Sequence, residues 1–420
     1  MSKKLEIKEI KAREILCVAG TPTVEVVLTT AGGARGKAGV ESGTSVGSHE
    51  AIQLRDGGDR YFGLGVRKAV KNVNEVIAPK LLGMDVTRQK EIDELLIQLD
   101  GTPNKSRLGA NAILGVSVAA VKAAAAATGV PLYKYMGGTK SYFLPVPMFT
   151  VIHGGISHPN KLDIEDFVIA PIDFDSFAEA LEAGVKVYYE LYKILEKDHF
   201  ILGGDAFVPQ MSTSREALDA IMKALKATGY ENKFMTALDS AADGFYDRKE
   251  KTYDLDGKKF SEDELIEYYR KLAADYPMLS IEDPFYEDGF EGFAKLFKIL
   301  KNVQIVGDDL FASNKERLKY AIEHKAANGI VLKPNQVGTV TETLETARIA
   351  HDNGFAVLPS IRTKNAGDLF IADLGVAAGG TQIKIGSPSG CLATLLYNRL
   401  VEIEEELGDS EYAGKMLKRR

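Results

Sequence analysis

The sequence predicts an α/β protein of two domains: a smaller N-terminal α+β domain, residues 1–138, and a C-terminal (β/α)8-type barrel, residues 139–420. Three observations carry this expectation. The chain has 420 residues, and single hydrophobic cores stop growing at roughly 250–300 residues. Its first part runs strands and then helices without alternation, the pattern of an α+β domain. Its second part repeats a short apolar run, a polar or charged residue and a helical segment at the spacing of one βα unit.

The elements follow in chain order. LEIKEIKAREIL and PTVEVVLTT alternate as strands do, and AGG after the second is a hairpin signal. From about Gly65 the period becomes helical. VRKAVKNVNEVIAPKLL and RQKEIDELLIQL carry apolar residues at helical spacing, and ANAILGVSVAAVKAAAAATG is a helix closed by Gly129 as its C-cap. The alanine run from Ala119 to Ala127 reads as close helix packing rather than a partner site. MGGTKSYFLPVP, rich in Gly and Pro, is the expected linker near residue 140.

Beyond it, apolar runs end at Asp239, Glu282, Asp308, Lys333, Arg362 and Lys384. Helical segments such as NKERLKYAIEHKA and TVTETLETARIAHDNG lie between them. Strand, helix, strand at this period means parallel strands, in a barrel or a doubly wound sheet. Charged residues at every strand end favour the barrel, where those ends converge on one pocket. No GxGxxG follows any strand, which removes the main support for a dinucleotide-binding sheet.

Composition narrows the function. A net charge of -7 argues against nucleic acid as the main partner. It leaves room for a small anionic substrate in a local cationic pocket. Cys17 and Cys391 form no CxxC pair, which fits a reducing compartment and leaves no thiolate metal site. The start, MSKKLEIKEIKAREIL, has no unbroken apolar stretch of a signal peptide. No membrane partner and a cytoplasmic location are therefore expected.

The strand-end residues define the chemistry. Asp239, Glu282 and Asp308, brought together on consecutive strands, repel one another unless a cation or protons neutralise them, and oxygen-only ligation suits Mg²⁺. For any one of them alone, a helix cap or a salt bridge is the ordinary explanation; three in phase with the βα period point to a site. Lys333 and Lys384 beside a metal are expected to have depressed pKa values, so that one could act as a base. Arg362 with Thr363 offers an anion clamp. Metal, base and clamp together fit proton abstraction next to a carboxylate. Asp205, in ILGGDAFVPQ, is an acid beside glycine, which is ordinary turn chemistry as well as a candidate for catalysis.

These segments are recognisable. ESGTSVGSHEA (41–51), LDGTPNKSRLGANAILGVS (99–117), SIEDPF (280–285), VGDDL (306–310), LKPNQVGTVTET (332–343) and VEIEEELG (401–408) resemble the enolase family in order and spacing along nearly the whole chain. Enolase-superfamily sites pair a Lys or His base with one or two Mg²⁺. The resemblance implies a capping domain over a barrel with two extra antiparallel features, and a homodimer or higher homo-oligomer. It implies Asp239, Glu282 and Asp308 as ligands of a first Mg²⁺ and Ser45 as a ligand of a second. Lys333 matches the general base, Lys384 a lysine on the substrate carboxylate, and Arg362 with Thr363 the phosphate site. His49 also matches a family position.

The other half of the site departs from the family. CVAGTPT stands where the family reads DSRGNPT, and Ser360-Ile361-Arg362-Thr363 where it reads Ser-His-Arg-Ser. Glu165-Asp166 replaces Gln-Glu, His158 is displaced by one position, and Ser389-Gly390-Cys391-Leu392-Ala393 replaces Cys-Arg-Ser-Glu-Arg. Gly204 occupies the position of the acid that assists hydroxyl departure, with Asp205 one residue late. Lys333, Asp205 and Asp166 are the expected catalytic residues. Lys384, Arg362, Thr363, Ser360, His158 and Glu165 are expected to bind the substrate, a small anion carrying phosphate or phosphonate and a carboxylate. The expected reaction is dehydration of 2-phosphoglycerate. An enolase-derived enzyme for another phospho- or phosphonocarboxylic acid and a non-catalytic enolase-like binding protein stand as alternatives.

Overall fold

A computed structural model describes residues 3–43, 46–140, 142–196, 201–203 and 206–418. Three antiparallel strands open the chain: β1 (Ile7–Leu16), β2 (Pro22–Thr30) and β3 (Arg35–Gly39), in that order. The turn between β2 and β3 uses Gly33 at φ +90°, a conformation that a Cβ would resist. Helical turns over 67–81 follow, then α1 (Gln89–Asp100) and α2 (Ala110–Thr128). Both α1 and α2 end on a left-handed glycine, Gly101 and Gly129, so the Gly129 cap expected from the sequence is present.

The apolar helix α2 is long enough and apolar enough to cross a membrane, with a mean hydropathy of 1.6, but 83% of that window is buried inside the protein. Its apolarity is spent on packing. Small residues let it lie close to the sheet, for a Cβ built on Gly36 would sit 2.0 Å from the Ala119 carbonyl oxygen and 2.5 Å from the Ala123 nitrogen. The alanine run is thus a packing surface, as its composition suggests.

The barrel begins with β4 (Phe149–His153) and β5 (Asp166–Pro171), followed by α3 (Phe177–Leu195). Next come β6 (Phe234–Asp239), β7 (Met278–Glu282), β8 (Gln304–Gly307), β9 (Gly329–Leu332), α4 (Val340–Asp352), β10 (Ala356–Pro359), β11 (Gln382–Ile383) and α5 (Cys391–Leu407). From β6 to β10 the neighbours pair in parallel. A parallel bridge from Ser360 to Lys384 carries β10 on to β11. In turn β11 pairs with Val146–Pro147, just before β4, and closes the ring.

One strand breaks the βα rhythm. β5 runs antiparallel to both β4 and β6, because the short 154–165 connection forms a hairpin and cannot hold a crossover helix. Two further antiparallel features decorate the barrel: the pair Ile201–Gly203 with Ala206–Val208, and a three-stranded sheet within Tyr246–Phe260. The reversal of β5 has a functional effect. It puts the first residue of β5, Asp166, at the same barrel end as the last residues of β4, β6 and β7.

The N-terminal domain is fastened over that end. Asp93 on α1 is fully buried and accepts bonds from the Thr341 amide (3.0 Å) and hydroxyl (2.6 Å) at the start of α4. Lys105 pairs with Glu342 at 3.0 Å, and the Ser117 hydroxyl accepts the Val340 amide at 3.0 Å. Ser42 exchanges backbone bonds with Lys364, and the Ala51 amide donates to the Gln336 carbonyl at 2.8 Å. These bonds bring the 39–51 segment to the mouth of the barrel.

Gly36→Ala should cost about 1–3 kcal/mol, because the new methyl meets α2 backbone, which cannot give way as a side chain would. Urea unfolding checks this; an unchanged midpoint would contradict the close approach of β3 to α2.

Candidate active site

A cavity of ≈ 590 Å³ opens at the C-terminal end of the parallel strands. Of the residues expected from sequence, it is lined by Lys333, Asp166, Lys384, Arg362, Thr363, Ser360, His158, Glu165, Asp239 and Asp308. Glu282 sits behind this lining, on Lys384. Ser45 and Asp205 lie outside the described residues.

Acid dominates the cavity. Asp166, Asp239, Glu282, Asp283 and Asp308 are each 4–8% exposed, and Glu165 and Asp309 also line the space. Lys333, Lys384 and Arg362 are the cations among the described residues of this cluster. Lys384 Nζ gathers three carboxylates: Asp239, Glu282 at 3.1 Å and Asp166 at 3.3 Å. Lys333 pairs with Asp308, whose other oxygen accepts the Gln336 amide at 2.9 Å.

Without a metal ion beside them, the lysines depart from the depressed pKa expected of a metal-bound site. Burial works to strip the proton from Lys333 and Lys384, but Asp308 beside the first, and Asp239 and Glu282 beside the second, outweigh it and raise both pKa values. They are charged in this arrangement, not neutral, because each touches a carboxylate directly. The same pairing acts on the acids. Burial would raise the Asp308 and Asp166 carboxyls, yet Lys333 holds the first low, and Lys384 with His153 the second.

The remaining carboxyls show the excess of negative charge. Burial, then Asp239, pushes Glu282 well above the usual range. Burial, then Asp309 and Asp308, does the same to Asp283, and Asp309 is raised to about 8 by burial and Asp308. Glu165 reaches about 7 through burial and the neighbouring Asp239 and Asp166. Charge of this density fits a divalent cation held by oxygen. Carboxylate oxygens of Asp283, Asp308 and Asp309 lie within 4.8 Å of one another, while Asp239 and Glu282 converge through Lys384.

Arg362 is less open than a simple clamp. Its Nη1 donates to Glu50 at 2.8 Å, and its backbone amide donates to Glu41 at 2.9 Å. Both acids come from the 39–51 segment. Asn365 donates its amide to the other Glu41 oxygen. Half-buried, Glu41 is pushed up to about 8 by burial, against the Arg362 amide. The exposed Thr363 stands beside Arg362, and Ser360 turns its hydroxyl onto the Ile361 carbonyl at 3.0 Å.

Other groups were not singled out by the sequence. His153, at the end of β4, lines the cavity with Nδ1 2.7 Å from Asp166, and stacks on His158 at 4.7 Å between ring centroids. Its signal was present, since MFTVIH is another apolar run ending in a polar residue. Asp283 and Asp309 simply follow Glu282 and Asp308, and their backbone roles were invisible: Asp283 accepts the amides of Asp308 (3.0 Å) and Asp309 (2.7 Å). His49 pairs with Asp288 at 2.9 Å, and Ser48 with Glu287 at 2.7 Å, latching the 47–50 segment to the barrel.

The cavity is two-sided. Ile361, Ile385, Leu392 and Ala393 line it beyond β10 and β11, with Val18 from the N-terminal domain. Cys391 stands next to Leu392 on that side, and charged and hydrogen-bonding groups line most of the rest.

A raised carboxyl binds its proton more tightly folded than unfolded, so stability falls as pH rises from about 4.5 towards 8. Glu41 belongs to this set and is bonded to Arg362 and Asn365 rather than to the clustered carboxylates. Unfolding midpoints without divalent cation should drop between pH 5 and pH 8, and Glu41→Gln should flatten the drop. The same variant should cost about 1–3 kcal/mol at pH 5 by leaving a donor unmatched. An unaltered pH slope would overturn the account of Glu41.

Comparison with known proteins agrees in both halves. The family model described as the N-terminal domain of enolase matches residues 7–136, and that of the enolase C-terminal TIM barrel domain matches residues 141–420. The chain is 50% identical to the enolase of Methanocaldococcus jannaschii over 420 residues, 99% of each chain. It is 48% identical to that of Methanopyrus kandleri over 416 residues, 97% of each chain. Against the enolase of Thermococcus kodakarensis identity is 47% over 424 residues, 99% of this chain and 98% of the relative.

Proposed function

This chain belongs to the enolase family, and we propose from that membership that it works as a Mg²⁺-dependent hydro-lyase through the lysine–carboxylate cluster at the barrel mouth. The enzyme is a lyase that dehydrates 2-phosphoglycerate to phosphoenolpyruvate. The observation that carries the reading is the cluster itself: Lys333 on Asp308, and Lys384 on Asp239, inside one cavity, with Glu282 behind the lining on Lys384.

In this reading Lys333 takes the α-proton. Lys384 faces the substrate carboxylate, and Arg362, Thr363 and Ser360 receive the phosphate. His158 and Glu165 line the remaining polar wall, and Asp166 steers Lys384 and His153. Asp239, Glu282 and Asp308 hold Mg²⁺, and Ser45 keeps the role in a second site that the resemblance implies. When bound, Mg²⁺ would supply positive charge to offset the negative charge that accumulates on the substrate as the α-proton leaves. With these carboxylates committed to a cation, Lys333 would feel less of their charge and would favour its neutral, basic form. Residues 1–138 cap the barrel of residues 139–420, and the protein acts in the cytoplasm as a homodimer or higher homo-oligomer.

A second reading is favoured by the apolar wall of Ile361, Ile385, Leu392 and Ala393: the same α-proton abstraction on a different phospho- or phosphonocarboxylic acid. One assay separates the two. With 2-phosphoglycerate and Mg²⁺, the first reading expects enol product by ultraviolet absorbance, and Lys333→Ala should lower turnover about 10²–10⁴-fold with the fold intact. Absence of product, together with Lys333-dependent α-proton exchange on another phospho-acid in deuterated water, selects the second.

Mg²⁺ should raise the melting temperature of the wild-type protein, and Asp308→Ala should abolish that rise while leaving a cooperative transition. An equal rise in the variant would remove Asp308 from the metal site.

A further inference from the structure

We propose that the Ser313 hydroxyl positions both halves of the reaction centre, the Lys333 backbone directly and the Asp308 carboxylate through Gln336, a role that rests on the base and the metal ligand assigned above. Ser313 and Gln336 are positioning residues in this scheme.

Asp308 uses its two oxygens differently. Oδ1 accepts the Gln336 side-chain amide at 2.9 Å, Oδ2 pairs with Lys333, and the Asp308 backbone amide donates to Asp283 at 3.0 Å. The plane of the carboxylate is thereby set, with Oδ2 as the oxygen on the side of the base. Gln336 is itself prevented from turning, because its Oε1 accepts the Ser313 hydroxyl at 2.5 Å. A carboxylate on one end of the amide and a donating hydroxyl on the other leave only one orientation that satisfies both.

The Ser313 oxygen then does a second task. It accepts the backbone amide of Lys333 at 2.8 Å, at the point where β9 ends and the base begins. The Val331 carbonyl, at 3.4 Å, is a longer alternative for the same hydroxyl hydrogen. Ser313 is 0% exposed and Gln336 2%, so water does not compete for these bonds. A hydrogen-bonded partner behind a ligating carboxylate fixes its orientation and tunes its affinity for a cation.

The backbone is bent to put the hydroxyl there. Ala312 and Ser313 have φ +46° and +51°, left-handed conformations that residues with a Cβ seldom adopt. Glycine would relieve the strain at both, yet the chain places a hydroxyl at the second. The Ala312 amide returns to the Asp308 carbonyl at 2.7 Å, and Asn314 then caps the helix Lys315–His324, which holds the two strained residues between fixed ends. Strain that the surroundings enforce beside a site is a pointer to function. Gln336 also meets the other domain, since its carbonyl accepts the Ala51 amide at 2.8 Å. Docking of the 39–51 segment therefore bears on the residue that holds Asp308.

The test measures Mg²⁺ binding to the substrate-free protein by titration calorimetry, and exchange of the α-proton of 2-phosphoglycerate in deuterated water at saturating Mg²⁺. Ser313→Gly suits the left-handed backbone and removes the hydroxyl. It should weaken Mg²⁺ binding about 10–100-fold, and exchange should stay slow at saturating Mg²⁺ because the base backbone has lost its anchor. Gln336→Met keeps the side-chain length without the amide. It should weaken Mg²⁺ by a similar factor, but exchange should recover to within a few-fold of wild type once Mg²⁺ saturates. The double variant should bind Mg²⁺ no more weakly than Gln336→Met alone, because Ser313 reaches Asp308 only through Gln336. Losses that multiply in the double variant would mean separate structural roles and overturn the proposal, as would wild-type affinity in either single variant. Gln336→Leu takes the place of Gln336→Met in the cycle should the latter fail to fold. A wild-type protein that binds no Mg²⁺ would overturn the metal reading and the role of Ser313 with it, whereas a binding wild type with unaltered variants overturns the role of Ser313 alone.

Discussion

Concentrated negative charge at the barrel mouth is the constraint on which the rest depends. Among the described residues, six carboxyl groups, Glu165, Asp166, Asp239, Asp283, Asp308 and Asp309, line a cavity with Lys333, Lys384 and Arg362, and a seventh, Glu282, sits behind it on Lys384. Isolated buried carboxylates are costly, and their mutual repulsion adds to that cost. Two lysines at the centre make the cluster tolerable, each seated on the acids that would otherwise repel. A divalent cation would relieve the remainder. The same groups that would destabilise the fold without a partner are thus what makes the site select a cation and an anionic substrate together.

The N-terminal domain completes the site rather than merely covering it. Glu50 fixes the Arg362 guanidinium, and Glu41 binds the backbone of Arg362 and the side chain of Asn365. The segment that carries both acids is tied down at Ser42 and Ala51 by backbone bonds, and at Ser48 and His49 by barrel acids. Arg362 is consequently aimed by residues more than 300 positions away in sequence. This is why the anion side of the cavity is a joint product of two domains.

Across the cavity the environment changes from charged to apolar. Lys333, Lys384 and the carboxylates suit a phosphorylated acid and a cation, while Ile361, Leu392 and Ala393 offer only shape and exclusion of water. An apolar wall cannot compensate a developing charge, and the charged groups stand on the side that includes β4 and β5. There His153, Asp166 and Lys384 form one connected chain of hydrogen bonds and ion pairs. Pairing through that chain preorganises the polar wall, which reduces the reorganisation required when charge moves.

Much of this was determined by the sequence alone. Apolar runs ending at Asp239, Glu282, Asp308, Lys333, Arg362 and Lys384 expose the barrel period, because a strand must be apolar within the core and can be charged only where it leaves it. All of those residues but Glu282, which sits just behind on Lys384, line one cavity, and Gly129 ends its helix as its backbone freedom suggests. Only the tertiary structure decided the rest. Hairpin β4–β5 reverses one strand and brings Asp166 against His153 at the active end, a placement that a period of βα units does not contain. Lysine charge was likewise undecided in sequence, since burial and neighbouring carboxylates push in opposite directions and the outcome turns on contacts of a few ångströms. Spacing along a chain encodes which strand end bears a charge; which charges touch is set by strand direction and domain docking, and those follow from packing of the whole molecule.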